Sequence, residues 1–193
     1  EIAQKLSSLR KLKAKDLERQ IEKELADLQM QGTSFRVHFE KIDPTRKGED
    51  EVKFVFSANA GQELKDLSKT ASGGELSRLL LAFKNIIKDS QSTIIFDEID
   101  SGISGQTAGK VAEKLQNISK YLQTILTTHT PVVASKGSHF ILVTKAIEAG
   151  EAISVARKIE GEEVVVEIAS LIDGGENISQ TAINHAKELL LKK

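Results

Sequence analysis

An apolar strand that ends in two consecutive acids constrains this chain more than any other stretch: Thr93-Ile94-Ile95-Phe96, then Asp97-Glu98. The spacing predicts a strand over 93–97, a loop with Gly102 and Gly105, a helix to about residue 119 with Val111, Leu115 and Ile118 inward, and another apolar strand over 122–127. Strand, helix, strand argues for a parallel sheet of the βαβ kind. The acids then stand at the carboxyl edge, where such sheets hold ligands. Successive side chains diverge there, so the two can do different work. Asp97 can hold Mg²⁺, and Glu98 can orient and deprotonate a water that attacks a γ-phosphate. Taken alone, such a pair also occurs in an ordinary acidic helix-entry loop.

Upstream, the small residues Ala71-Ser72-Gly73-Gly74 open a helix expected over 75–88, with Leu76, Leu79, Leu80, Phe83, Ile86 and Ile87 on one broad buried face. Ser72 can cap that helix, and the following N–H groups can face a phosphate. Downstream, His129 follows the strand over 122–127 by one polar stretch, in Thr128-His129-Thr130-Pro131. That places an imidazole at the same sheet edge as the acids. A glycine turn is usually a bend, and a lone histidine is usually structural. Three such features at one edge, in this order, point to nucleotide chemistry.

Apolar residues from 2 to about 30 fall mostly three or four apart among dense Lys, Glu, Arg and Gln, which is an amphipathic helix. It packs on its own domain or is the stub of a coiled coil. Gly32 is expected to end it. Residues 34–58 alternate as an antiparallel hairpin, with Phe35, Val37 and Phe39 facing Val52, Phe54 and Phe56 and a turn over 44–50. Strands are expected over 140–143 and 153–155 about a turn near Gly150, with a third over 164–166. Pro131 suits the first turn of a short helix, and residues 178–191 make a closing amphipathic helix.

The formal net charge of −1 gives the 193-residue chain no bulk pull on nucleic acid or membrane. A DNA contact would come from a local patch, for which Lys5, Arg10, Lys11, Lys13 and Lys15 are candidates, or from sequence not present here. No cysteine is present, so there are no disulfides or thiolate metal sites. The apolar runs fall short of a membrane span and residues 1–5 are no signal peptide, so a cytoplasmic protein is the default. A start in mid-helix without Met suggests a fragment.

The order of these motifs carries a resemblance. Ser72-Gly73-Gly74-Glu75-Leu76-Ser77 is similar to the signature motif of ABC-type ATPases, Ile94-Ile95-Phe96-Asp97-Glu98 to their Walker B, and His129 to their switch histidine. Ala71-Ser-Gly-Gly-Glu-Leu-Ser-Arg78, Phe96-Asp-Glu-Ile-Asp-Ser-Gly-Ile-Ser-Gly105, Phe54-Val-Phe-Ser-Ala-Asn-Ala-Gly61 and the stretch 128–134 resemble the RecN family of SMC-like DNA-repair ATPases. Some four-fifths of the chain, from the hairpin to the closing helix, takes part.

The resemblance implies the C-terminal lobe of an ABC/SMC-type P-loop ATPase head, an α/β fold with a parallel-type sheet, flanking helices and a β-hairpin. Residues 1–31 would be the returning end of a coiled-coil arm and 32–193 the lobe. Two such heads would sandwich two ATP molecules. Ser72, Gly73, Gly74 and Glu75 would then meet the γ-phosphate side of the partner's ATP. Asp97 would serve Mg²⁺, Glu98 the hydrolytic water and His129 the γ-phosphate. The loop Asp100, Ser101, Gly102, Ile103, Ser104 and Gly105 would cross the dimer interface.

Many relatives of the superfamily carry Leu-Asp where Ile103-Ser104 stands here, and a serine lacks those charge-based contacts. No G-x-x-x-x-G-K-[ST] phosphate loop occurs, and Gly109-Lys110-Val111 lies within an expected helix. The ATP-gripping half would therefore belong to an N-terminal head lobe absent from this sequence, and the chain alone would be inactive. DNA, a homodimer through the heads and a nucleoid-associated location follow from the same resemblance, with no membrane partner. The alternatives are a DNA-tethering scaffold in which ATP only gates assembly, and a transporter's nucleotide-binding subunit. The long N-terminal helix and the Glu75-Leu76-Ser77-Arg78 ending disfavour the transporter.

Overall fold

Leu, Lys, Glu, Gln and Arg are strong helix formers, and neither Gly nor Pro interrupts residues 2–27. They form helix α1 (Ile2–Asp27) in a computed structural model that describes residues 1–59, 61–67, 73–87, 92–103, 105–148, 151–175 and 177–192. Gly32 does not end this helix. Gln29 takes the left-handed conformation at φ 55°, Met30 N–H bonds Leu25 O at 3.0 Å, and Gln29 N–H bonds Ala26 O at 3.2 Å. This is a Schellman stop, and burying Met30 beside Leu25 supplies the apolar contact that usually accompanies it.

Strands β1 (Ser34–Thr45) and β2 (Gly48–Ser57) pair antiparallel, with Phe35 opposite Phe56, Val37 opposite Phe54 and Phe39 opposite Val52. The expected hairpin stands, but its turn is only 46–47, and Pro44 and Gly48 are strand residues. Gly48 lies at φ 104°, and a Cβ there would meet Arg10 Nη1 at 3.0 Å and Leu6 Cδ2 at 3.1 Å. Asp50 takes hydrogen bonds from Ser7 Oγ and Arg10, so the hairpin tip lies on α1. A third strand missing from the sequence reading, β3 (Lys65–Asp66), adds to β2.

β1 is an edge strand of this sheet. Glu22 accepts from the Phe35 N–H at 3.2 Å and Glu18 from the Val37 N–H at 2.8 Å, so two carboxylates four residues apart on α1 satisfy edge donors that would otherwise invite another strand. Ile21, Leu25, Met30, Phe35 and Phe56 form one core with Leu79 and Ala82 of helix α2 (Gly73–Ile86). Phe35, Phe54 and Phe83 meet with ring centres 5.3–5.7 Å apart.

α2 begins two residues earlier than its sequence suggests. Its buried residues are Gly74, Arg78, Leu79, Leu81 and Ala82, whereas Leu76, Leu80 and Ile87 are exposed, against the expectation of one broad buried face. Within this unit the core takes the side of α2 that carries Leu79 and Ala82, with Phe83 and Ile86 packed against it, and leaves Leu76, Leu80 and Ile87 exposed. The βαβ expectation holds: β4 (Thr93–Phe96), helix α3 (Gly105–Ser119) and β5 (Gln123–Leu126) follow one another, and β4 pairs parallel with β5, Phe96 beside Leu126. Val111, Leu115 and Ile118 are buried as expected.

Residues Glu1–Thr127 form one compact unit and Thr128–Lys193 another. The second unit opens with the short helix α4 (Pro131–Ala134), Pro131 in its first turn. Then β6 (Phe140–Glu148) and β7 (Glu151–Ile159) form a hairpin longer than expected. Gly150 lies outside the described residues. The third strand expected over 164–166 is instead part of helix α5 (Glu162–Asp173). The valines read as β-formers, but Val164, Val165, Ile168 and Ala169 continue at helical spacing and are buried together, between Gly161 at the start and left-handed Gly174 at the end. Helix α6 (Gln180–Leu191) follows, with Ser179 accepting from the Ala182 N–H at 3.1 Å, and Ala182 and Ala186 join the same core. Among the described residues no helix is long and apolar enough to cross a membrane.

Candidate nucleotide site

Along β4, Ile94 and Phe96 are buried, and the chain turns sharply at their carboxyl end. Thr127, the residue after β5, organises that turn. Its N–H bonds Phe96 O at 3.1 Å, continuing the parallel ladder. Its Oγ1 donates to Asp97 Oδ1 at 2.7 Å and accepts from the Glu98 N–H at 3.3 Å. Glu98 itself lies at φ 52°, a left-handed conformation uncommon for residues with a Cβ. The carboxylates of Asp97 and Glu98 are both exposed, so both are available to a ligand.

The glycine turn packs against these acids within the same unit. A Cβ on Gly73 would sit 3.3 Å from Glu98 Oε2, and one on Gly74 would meet Ser101 Cβ at 3.1 Å, Glu98 O at 3.2 Å and Arg78 Nη1 at 3.3 Å. Gly74 is therefore required by close approach. Ser77 Oγ donates to Asp97 O at 2.6 Å, and Arg78 Nη1 donates to Ser101 O at 2.8 Å while its Nε approaches Met30 Sδ at 3.5 Å. Burial holds the Arg78 guanidinium below its usual pKa, against the opposing pull of the Glu75 charge.

The loop beyond the acids is compact. Ser101 N–H bonds Glu98 O at 3.0 Å, Ile103 N–H reaches Asp100 O at 3.5 Å, and Gly102 takes φ 70°. Asp100 is buried, only 2% exposed, while Ser101 is exposed. Gly105 begins α3 in open space. Thus Gly73, Gly74, Asp97, Glu98 and the loop 100–103 come together in the first unit, and Glu75 lies on the same helix within electrostatic reach of Arg78. Ser72 and Ser104 lie outside the described residues. His129 is exposed and belongs to the second unit.

Sequence reasoning missed Ser77, Arg78 and Thr127. For Thr127 a signal existed, because the residue one past a parallel strand stands beside the residue one past its neighbour. Ser77 and Arg78 stand in the motif quoted above, but their contacts with the acid turn were not legible, since which face of α2 meets that turn is set by packing.

Among the described residues no group of three His, Asp or Glu is arranged to hold a metal ion. Magnesium takes one or two carboxylates and fills its remaining positions with phosphate oxygens and water. Asp97, with Oδ1 fixed by Thr127 and its other oxygen left to a ligand, suits that role.

No family model matches the chain. It is 38% identical over 192 residues to the DNA repair protein RecN of Halalkalibacterium halodurans, an alignment that covers 96% of this chain and 34% of the relative. It is 37% identical over 206 residues to the DNA repair protein RecN of Bacillus subtilis, covering 97% of this chain and 36% of the relative. Among solved structures, an Smc head domain with a coiled coil and joint from Pyrococcus yayanosii matches with a TM-score of 0.55 at 22% identity, over 83% of this chain and 29% of that one. The fold is therefore that of an Smc head. The resemblance first carried by a few motifs extends along nearly the whole chain, and the proteins it leads to are the RecN DNA repair proteins, about a third of whose length this chain spans.

Proposed function

We propose that this chain is the C-terminal lobe of an ATPase head of the RecN kind, which works only when a lobe carrying the phosphate loop and a second head are supplied. The observation that carries this reading is the uncovered side of the parallel pair. Ile95 of β4 is 66% exposed and Ile125 of β5, its partner in register, 46% exposed. Parallel strands are normally covered on both faces, so two facing isoleucines in water are a surface that another part of the protein covers.

In the complete head Asp97 would hold magnesium, and Glu98 would orient and deprotonate the attacking water. Gly73, Gly74 and Glu75, with Ser72, would face the ATP held by the partner head, and His129 the γ-phosphate. The loop Asp100 to Gly105 would lie along the interface between heads. ATP with magnesium supplies the phosphoryl group and the charge this site must steady. Closing and reopening two heads around ATP would let the protein hold and release DNA during break repair, in the bacterial cytoplasm at the nucleoid. The exposed Ile2, Leu9 and Leu12 of α1 lie outside its packed side and fit one end of a coiled-coil arm over 1–31.

Calorimetry tests the division of labour. This chain alone is expected to show no micromolar affinity for ATP, and micromolar binding would overturn the assignment of the ATP-gripping half to a separate lobe. In the complete protein, ATP hydrolysis that requires both lobes and rises with head concentration is the expected result; the absence of any hydrolysis would refute the reading.

A further inference from the structure

The two turns assigned above to different nucleotides are joined inside one chain by neighbouring residues of α2. Ser77 Oγ holds the carbonyl of Asp97 and Arg78 Nη1 the carbonyl of Ser101, so the turn that carries Glu98 is gripped at both ends from one helix. Between those grips Glu98 keeps its left-handed backbone. Arg78 is 8% exposed, and among the described residues no carboxylate lies within ion-pair distance of it. A buried cation without such a partner is costly to keep, and its planar fork is suited to fixing carbonyl groups.

We infer that Arg78 is a positioning residue for Glu98: it holds the 98–101 turn so that the Glu98 carboxylate keeps its aim at the head's own nucleotide. It does so although it sits on the helix whose first turn faces the partner's. Arg78 therefore acts in cis, one helical turn from residues that act in trans. This inference rests on the ATPase-head reading.

The test uses the complete protein. Arg78→Lys keeps the charge but loses the fork, and is expected to lower kcat about tenfold with KM for ATP unchanged, the rate equivalent of weakening one charged hydrogen bond. Should that variant melt early, Arg78→Met, which fills a similar space and loses both the buried charge and the donor to the Ser101 carbonyl, replaces it with the same expected loss. The variant is then mixed with a large excess of Glu98→Gln heads, so that nearly every Arg78→Lys head has such a partner. Action in cis keeps its rate per head about tenfold below that of wild-type heads mixed the same way. Recovery to the wild-type value would place Arg78 on the partner's nucleotide and overturn the inference, as would an unchanged kcat in the pure variant. A wild-type protein without hydrolysis would instead remove the ATPase-head reading, and this inference with it.

Discussion

The Thr127 hydroxyl bridges the two acids at the end of the neighbouring strand, donating to Asp97 Oδ1 at 2.7 Å and accepting from the Glu98 N–H at 3.3 Å. Thr127→Val keeps the shape and removes both bonds. In the complete protein it is expected to raise the magnesium concentration needed for half-maximal hydrolysis and to lower kcat about tenfold, the loss of one hydrogen bond to a charged group. Thr127→Ser should retain both properties. A magnesium titration of hydrolysis by the two variants checks this, and equal behaviour of Val and Ser would remove Thr127 from the site.

Glu98→Gln preserves the side chain's size and removes its basicity. Hydrolysis in the complete protein is expected to fall roughly 10²–10⁴-fold while ATP binding persists. The heads should then accumulate as an ATP-bound dimer, visible by size-exclusion chromatography with light scattering. Native turnover in this variant would mean that another residue prepares the water.

Gly74→Ala forces a methyl against Ser101 Cβ, the Glu98 carbonyl and Arg78, all within 3.3 Å. Overpacking of this kind costs about 1–3 kcal/mol, read as a lower urea midpoint. Gly105→Ala, whose added Cβ meets nothing within 4 Å, is the matched control and should leave the midpoint unchanged or slightly raised.

Lys114 of α3 joins α1 through Glu24 at 2.7 Å and Asp27 at 3.2 Å. Lys114→Met leaves two carboxylates without their cation and is expected to cost about 1–3 kcal/mol. Burial disfavours the Lys114 charge, but the bonds to Glu24 and Asp27 outweigh it and hold the pKa above its ordinary value of 10.5. A raised folded-state pKa contributes stability that is fully present below the unfolded value and is lost as pH rises through the folded one. The stability gap between wild type and variant should therefore stay constant across neutral pH and narrow only above about pH 10.5, as denaturant melts at several pH values would show.

The elements legible in the sequence were those whose local pattern and burial agree. The alternation of Phe35, Val37 and Phe39 with Val52, Phe54 and Phe56 fixes a hairpin register, because a slip by one residue would turn every aromatic outward. The apolar strands about α3 fix a parallel pair for a similar reason. Where two patterns fit the same residues, the reading failed. Val164-Val165-Val166 suits a strand by propensity, yet becomes helix because Ile168 and Ala169 extend its apolar side into the same core. The stop of α1 came from Gln29, since the Met30–Leu25 contact outweighs the modest cost of a left-handed glutamine.

The sequence by itself determined the chemistry on offer: a glycine turn opening a helix, two acids ending an apolar strand, and a histidine after the next strand. These depend on residue type and local spacing, which the chain states directly. Only the tertiary structure decided that Gly74 lies against the Glu98 carbonyl, that Thr127 ties both acids, and that Ser77 and Arg78 grip the turn between them. Those contacts join residues 20–30 positions apart. Their geometry depends on how α2 rotates to bury Leu79 and Ala82, a choice made by the whole core rather than by any local stretch.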